Sequence, residues 1–266
     1  MDKHLWGRPY KIVTALFPRQ LEFIYTSQQL NPEDIPLVTK EELMEASNRV
    51  GNNKAPGLDG VPNITLKTSI KAAPELFLDV YNTCLKDGTF PRKWKQQRLV
   101  LPPKGKKQPE EPSSYRPLCM LDTVGKIFER IIHQRIEAIV DPLLADNQIV
   151  ASYFTGRVLK YDTKNGPKEY DITGGVPQCS ILGPLLWNIM YEIILRLNIP
   201  RCVKLVAYAD DVAVVIVAKH LDEICRLFDI TFEQVNRWMD TVNLQLAEHK
   251  TEAVLIISRK VVEQSS

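Results

Sequence analysis

Hydrophobic residues follow a helical period in two long stretches of the chain. Residues 124–139 carry an isoleucine-rich stripe, because their apolar side chains recur every three or four positions. Residues 221–242 keep the same spacing. Thr39 is followed by acidic residues and predicts the start of a shorter helix. We assign the stripe of the 124–139 helix to core packing.

Runs of β-branched residues predict strands over 98–101, 203–217 and 252–258. The run over 203–217 is interrupted by Asp210 and Asp211, which stand side by side among apolar residues. Burying two adjacent carboxylates is costly, whereas a turn brings both out of the pleat into a polar site. The pattern therefore predicts a β-hairpin with the aspartates at its tight end. Helices and strands together predict an α+β fold.

Composition changes this picture only at a few points. The 266-residue chain is 44% hydrophobic, which is enough to fill a core, and none of its apolar runs is long enough to cross a bilayer. Its five cysteines are odd in number and contain no CxxC pair, so neither a disulfide framework nor a zinc site is expected. We expect an intracellular, reducing location, with nucleus and cytoplasm both open, and no membrane partner.

Positive charge is concentrated in one block, although the net charge is only +2. Between residues 92 and 107 there are seven bases and no acids, a distribution that suits phosphate backbones. Trp94 lies inside the block and is available for stacking on a base. A solvated basic loop is the alternative interpretation. The predicted nucleic-acid-binding residues are Arg92, Lys93, Trp94, Lys95, Arg98, Lys106 and Lys107.

The aspartate pair has a direct chemical interpretation. A divalent cation can offset the charge of Asp210 and Asp211, and Mg²⁺ prefers oxygen ligands, with phosphates completing its shell. Two such ions can activate a hydroxyl and stabilise a leaving phosphate. A hairpin whose turn happens to be Asp-Asp is the alternative for the YADD tetrapeptide taken alone.

Five ordered blocks carry a resemblance to a known family. They are NKAPGLDGVP (53–62), the segment from FPRKWK to HQRI (90–136), GGVPQCSILGPLLWNIMY (174–191), YADD (208–211) and LQLAEHKTEAVLI (244–256). Over residues 40–257 the chain resembles the reverse transcriptases of non-LTR (LINE-like) retrotransposons, especially those of arthropods. The resemblance implies an RNA-directed DNA polymerase that transfers deoxynucleotides to a primer 3′-OH by two-metal catalysis.

The resemblance also implies an organisation. We expect a fragment of a right-hand polymerase, with a fingers-like region over 40–148 and a truncated palm over 149–258. Residues 1–39 would be an N-terminal extension of unknown role, and residues 259–266 a tail. The palm sheet would be antiparallel with one strand missing, and would contain the hairpin and the 252–258 strand. Helices over 182–196 and 221–242 would pack on one face of it. RNA template, DNA primer and deoxynucleotide triphosphates are the implied partners.

Site residues follow from the same resemblance. Asp210 and Asp211 would be the catalytic metal ligands, and Lys250 would protonate the departing pyrophosphate. The intact family holds two Mg²⁺ ions, and we expect at most weak Mg²⁺ binding in this chain. Lys104 and Arg116 would reach the triphosphate, since arginine grips phosphate with two N–H groups. A surface lysine, a helix-capping arginine and a solvated turn lysine are the alternatives for Lys104, Arg116 and Lys250. The residues implied to line the template and nucleotide pocket are Pro177, Gln178 and Tyr208.

Two departures from the family pattern predict a loss of chemistry. The family carries another aspartate on an apolar palm strand. That strand lies between the fingers and the block over 174–191, which we call the glycine motif, and several dozen residues are expected there. Here residues 141–148 are followed directly by a segment that resembles the one before the glycine motif. Cys179 stands where the family has glycine, and its side chain would crowd the nucleotide. We therefore expect an internally truncated, catalytically inactive copy (a pseudoenzyme), or a non-catalytic remnant that binds RNA or a hybrid duplex.

Overall fold

The computed structural model describes residues 9–20, 35–105, 111–138, 148–208, 211–247 and 250–256. The described residues form two compact units, divided between Met190 and Tyr191. The α-helices are α1 (Pro9–Leu16), α2 (Lys40–Asn48), α3 (Asn63–Ala72), α4 (Pro74–Lys86), α5 (Thr123–Ala138), α6 (Gln148–Phe154), α7 (Leu182–Leu195) and α8 (Leu221–Thr241). The strands are β1 (Gln96–Val100), β2 (Leu118–Met120), β3 (Arg157–Thr163), β4 (Gly166–Ile172), β5 (Val203–Tyr208) and β6 (Asp211–Ile216).

A mixed four-stranded sheet organises the first unit, with the strand order β2-β1-β3-β4. β1 pairs antiparallel with β2 and parallel with β3, and β3 and β4 form an antiparallel hairpin. The hairpin closes where Thr163 pairs with Gly166, which has a φ of +97° that glycine adopts readily. Two segments far apart in the chain, 96–120 and 157–172, therefore share one sheet.

Two hydrophobic clusters stabilise this unit. The larger is built on α2 to α6 and the start of α7, and its centre is aromatic: the rings of Phe128 and Tyr81 stack at 5.1 Å. The smaller covers one face of the sheet, where Leu99, Leu159 and Tyr170 lie beneath α1. Burial of these apolar side chains is the main source of stability for such a unit.

The second unit contains the β5–β6 hairpin and α8. Side chains on the two strands alternate between half-buried and exposed, and α8 contacts β6. The buried side of α8 presents Leu227, Val235 and Trp238, and the ring of Trp238 meets Tyr191 edge-on at 6.0 Å. The regular period of residues 221–242 thus corresponds to a helix with one covered face.

The predicted elements are confirmed in part. The 124–139 helix is present as α5, the 203–217 hairpin as β5 and β6, and the fold is α+β. The strand predicted over 252–258 is wrong for residues 252–256, which are exposed and irregular, while residues 257–258 lie outside the described residues. Apolar β-branched residues form a strand only where a neighbouring strand accepts their backbone hydrogen bonds.

The division between units differs from the predicted domains. The structure places it at Met190, whereas the predicted boundary after Gln148 falls inside the first unit, at the start of α6. Residues 157–172 belong to the same sheet as β1 and β2, which explains why the division comes later. The identity of the regions as fingers and palm stays a prediction. Across the described ranges, the helices are all too short or too polar to span a membrane.

Candidate functional site

The predicted catalytic hairpin presents its end to solvent. Tyr208, the last residue of β5, pairs with Asp211, the first residue of β6. Both are exposed, Tyr208 at 83% of its surface. Asp210 lies outside the described residues. The Asp211 carboxylate thus lies at the turn end of the hairpin, where a solvated cation can reach it.

Lys250 lies in the second unit on a turn. Its backbone N–H donates to the carbonyl of Ala247 at 2.8 Å, and its side chain is exposed. This environment agrees with the alternative of a solvated turn residue. The role in protonating pyrophosphate stays a prediction.

Lys104 and Arg116 are held side by side in the first unit. The backbone N–H of Lys104 donates to Ser114 at 2.6 Å, and that of Arg116 donates to Pro102 at 3.0 Å. The two segments also form an isolated antiparallel bridge between Pro103 and Tyr115. Both charged side chains are exposed, so two cations project from one short two-stranded loop. Such a pair can bind one polyphosphate group.

The glycine motif lies beside this loop. Pro177 is buried and Gln178 is exposed, and the carbonyl of Gln178 accepts a hydrogen bond from Cys119 on β2 at 3.4 Å. β2 begins two residues after Arg116, so the structure brings Arg116 and Gln178 to the same end of the sheet. Four predicted substrate-binding residues of the first unit therefore occupy one region.

Cys179 adopts a backbone conformation that favours glycine. Its φ is +83°, in the left-handed region where a Cβ meets the following carbonyl. Such a residue costs about 1–2 kcal/mol relative to glycine. The family's glycine at this position therefore has a backbone reason as well as the steric one predicted from the sequence.

Glu129 supports the glycine motif, and sequence analysis missed it. Its side chain is 1% exposed, and its carboxylate accepts hydrogen bonds from the backbone of Ile181 at 2.7 Å and Leu182 at 3.2 Å. It thereby caps the start of α7 from a neighbouring helix. Burial raises the pKa of Glu129 to about 7, although both backbone hydrogen bonds oppose the shift. The sequence did carry a signal for this role, because Glu129 is a charged residue beside the apolar stripe of α5.

The loop over 53–62 is fixed to the start of α5. Asp122 accepts a hydrogen bond from the backbone of Asp59 at 3.1 Å, and a Cβ on Gly57 would collide with Asp122. Thr123 donates a 2.6 Å hydrogen bond to Asn63, whose side chain is buried. The turn-rich segment over 53–62 is therefore held against the start of α5 by hydrogen bonds and close packing, and is not an open loop.

The basic block divides into surface and structural residues. Arg92, Lys93 and Arg98 are exposed, and Arg98 lies 3.7 Å from Asp162. Lys95 instead donates to the carbonyl of Ser152 at 2.9 Å, and desolvation lowers its pKa. The predicted residues Lys106 and Lys107 lie outside the described residues.

Trp94 requires a correction. Its ring packs within 6 Å of Tyr81, Phe90 and Phe128 in the aromatic centre of the first unit. Its Cβ would also be 2.9 Å from a Cβ built on Gly125. The half-buried ring is held by three aromatic neighbours and is not free to stack on a nucleic-acid base, so the prediction of Trp94 as a stacking residue is wrong.

The chain is similar to several proteins of known family. A family model described as reverse transcriptase (RNA-dependent DNA polymerase) matches residues 147–265. The 115 kDa protein of the type-1 retrotransposable element R1DM from Drosophila melanogaster is 27% identical over 228 positions, which take in 63% of this chain and 22% of that protein. The Pol polyprotein of the R1 element from Bradysia coprophila is 24% identical over 315 positions, covering 94% of this chain and 31% of that protein.

A third relative is the RNA-directed DNA polymerase of the mobile element jockey from Drosophila melanogaster. It is 31% identical over 128 positions, which cover 48% of this chain and 14% of the polymerase. The hairpin and the glycine motif both lie within the segment that the reverse transcriptase family model matches. The chain carries a reverse transcriptase domain of the non-LTR retrotransposon type, and it spans less than a third of the length of these relatives.

Proposed function

We propose that this chain is an internally truncated non-LTR reverse transcriptase domain that binds RNA or a hybrid duplex without polymerising. The carrying observation is the hairpin that bears Asp211. Within the described part of the second unit, β5 and β6 pair only with each other. Polymerases of the family place a further carboxylate on a neighbouring palm strand, and no such strand accompanies the hairpin among these residues.

The lengths of the aligned relatives support an internal loss. The R1 alignment from Bradysia runs over 315 positions but takes in 94% of 266 residues, about 250, so about 65 positions have no residue in this chain. The R1DM alignment runs over 228 positions and takes in 63%, about 168 residues, which leaves about 60 unmatched. Both differences agree with the several dozen residues expected between Gln148 and Ile149.

The exposed surface of the hairpin supports the same proposal. Val206 and Val215 lie on its outer face and are 56% and 46% exposed. The same face contains Tyr208, and both outer strand edges lack a partner strand among the described residues. An exposed apolar sheet with open edges is unfavourable in water and is usually covered. A missing palm strand accounts for this exposure.

The two-Mg²⁺ site of the intact family needs a further carboxylate beside the aspartate pair. Asp211 is exposed at the start of β6, and Asp210 lies outside the described residues. Two ions held in fixed positions require carboxylates from more than one strand, whereas Asp210 and Asp211 are neighbours in the sequence. Asp210 and Asp211 would therefore hold at most one Mg²⁺ weakly, and we derive no catalytic step through a metal.

Nucleic-acid binding rests on the surface bases of the first unit. Arg92, Lys93 and Lys104 are exposed, and residues 88–109 contain no acidic residue. Cations spread over one surface attract a phosphate backbone without reading its sequence. RNA template, DNA primer and deoxynucleotides are the proposed partners, in an intracellular setting, and 40–148 and 149–258 are the proposed fingers and truncated palm.

Charge reversal in the basic block tests the binding. Replacing Lys104, Lys106 and Lys107 with Glu should weaken binding to an RNA–DNA hybrid. It should also make the plot of log association constant against log salt concentration less steep, by about 2 to 3. The physical reason is the loss of phosphate contacts and of the counterions that they release. Fluorescence anisotropy at several salt concentrations measures both quantities.

A matched triple variant separates this effect from net charge. Lys71, Lys86 and Lys164 are also exposed, and their replacement by Glu makes the same charge change elsewhere in the first unit. That control should keep most of the affinity and the salt slope. If the block variant binds like the unchanged protein, or if the two triple variants lose affinity equally, the block is only a solvated loop.

A further inference from the structure

A cavity of about 240 Å³ lies in the first unit beneath the glycine motif. It is bounded by the segment after α1, by the sheet and by residues 172–178. Gln97 and Arg157 contribute from neighbouring strands. Gln97 pairs with Leu159, so Arg157, two residues earlier, lies on the same face of the sheet. The cavity therefore combines a buried amide and a buried guanidinium on one wall.

Gln97 is buried without hydrogen-bond partners. Its side chain is 0% exposed, and neither its Nε2 nor its Oε1 has a partner among the described residues. Its neighbour on the same face, Leu99, is apolar, as an inward position of a strand normally is. A buried amide left unpaired is unfavourable, and in native structures it usually indicates a missing partner.

Arg157 is a buried cation without a counter-ion in the described ranges. It is 2% exposed, its Nε donates to Phe154 at 3.3 Å, and its Nη2 donates to Gly174 at 3.2 Å. Its guanidinium also lies 5.5 Å from the centre of the Phe154 ring. These partners are carbonyls and a ring, and none carries a full negative charge. Arginine stays protonated in proteins, so a buried and uncompensated charge favours an anionic ligand.

The remaining wall fits an anion. Among the described residues that line the cavity, Arg157 alone has an ionisable side chain. The hydroxyl of Thr173 accepts from the backbone of Gln20 at 2.8 Å, which leaves its hydrogen free to donate. Gly175 and Gln178 are exposed, so an ion can enter from solvent.

We propose that this cavity binds a small tetrahedral oxyanion, a phosphate or the phosphoryl group of a nucleotide. Gln97, Arg157 and Thr173 would donate to it from β1, β3 and the loop after β4. Donors on three elements suit a tetrahedral group with several acceptor oxygens better than a planar carboxylate. The proposal does not rest on polymerase activity, since the site lies wholly within the first unit.

Thermal unfolding of the full chain with inorganic phosphate tests the proposal. At about 100 times its dissociation constant, phosphate should raise Tm by about 5 °C, while acetate and chloride at equal ionic strength should leave it unchanged. Deoxyadenosine monophosphate distinguishes the sources: a larger shift than that of phosphate would assign the site to a nucleotide-borne group. Equal shifts with phosphate, acetate and chloride, or no phosphate shift, would overturn the proposal.

Three variants make the test specific. Gln97→Glu keeps the shape of the side chain and supplies an internal anion for Arg157, so it should abolish the phosphate shift and raise Tm without ligand. Arg157→Gln should also abolish the shift, and the Gln97 variant decides the matter if Arg157→Gln does not fold. Arg19→Gln is the control, because Arg19 is exposed, packs over Tyr170 at 5.9 Å and does not line the cavity. Retention of the shift in Gln97→Glu would contradict the site.

Discussion

Inserting a palm strand with its aspartate between Gln148 and Ile149, together with Cys179→Gly, should convert an inactive chain into a primer-extending one. The expected gain is roughly 10²- to 10³-fold, the size of effect that one electrostatic catalytic group commonly has. The strand would supply a carboxylate opposite Asp210 and Asp211 and would cover the open edge of the hairpin. Cys179→Gly would remove a residue held at a φ of +83° beside the nucleotide pocket. Primer extension on an RNA template measures the gain.

Two controls separate chemistry from folding in this experiment. The same insertion with alanine in place of its aspartate should restore the strand, and therefore solubility, without restoring extension. Asp210→Ala in the repaired chain should remove the extension again. If the alanine insertion extends a primer as well as the aspartate insertion does, the third carboxylate is not what this chain lacks.

Replacing Glu129 with Gln should make the free energy of unfolding much less dependent on pH. The pKa of Glu129 is raised by burial from 4.5 to about 7, so between these values the folded protein holds a proton that the unfolded chain has released. The stability contributed by protonated Glu129 is full below pH 4.5 and is lost as the pH rises through about 7. At about 1.4 kcal/mol per pH unit, the loss is on the order of 3 kcal/mol.

Urea unfolding at pH 4.5, 6 and 8 measures this effect. As the pH rises, the free energy of unfolding of the unchanged protein should fall relative to that of Glu129→Gln, by on the order of 3 kcal/mol in total. Glu75→Gln is the matched control, because Glu75 is exposed in the first turn of α4 and should leave the pH dependence unchanged. Parallel pH profiles for the unchanged protein and Glu129→Gln would mean that Glu129 is ionised throughout.

The sequence predicted those elements whose periodicity and burial coincide. α5 and α8 each bury one regular stripe, and the β-branched runs on both sides of the aspartate pair form β5 and β6. The 252–258 strand was wrong over its described residues because a strand depends on a partner that local sequence does not specify. The β3–β4 hairpin was missed, although Asn165-Gly166 between two runs with aromatic residues is a turn signal that could have predicted it.

The motifs suggested Lys104, Arg116 and Gln178, and their roles stay predictions. The structure shows backbone hydrogen bonds that join the segments of Lys104 and Arg116 to each other and Gln178 to β2. The position of Trp94 among arginine and lysine residues suggested that it stacks on nucleic-acid bases. Its ring instead contacts three aromatic side chains of the hydrophobic cluster. Gln97 gave no signal, because its burial depends on α1 and the glycine motif, which are far away in the sequence.

Primer extension by the unchanged chain tests the central claim most directly. The assay combines the purified protein with an RNA template, a DNA primer, deoxynucleotides and either Mg²⁺ or Mn²⁺. Asp210→Ala is the paired control. We predict no template-dependent product with either metal, because the carboxylates of one hairpin cannot hold two ions in place. Template-dependent extension that Asp210→Ala abolishes would contradict the account, since it would show that the chain retains a complete catalytic centre.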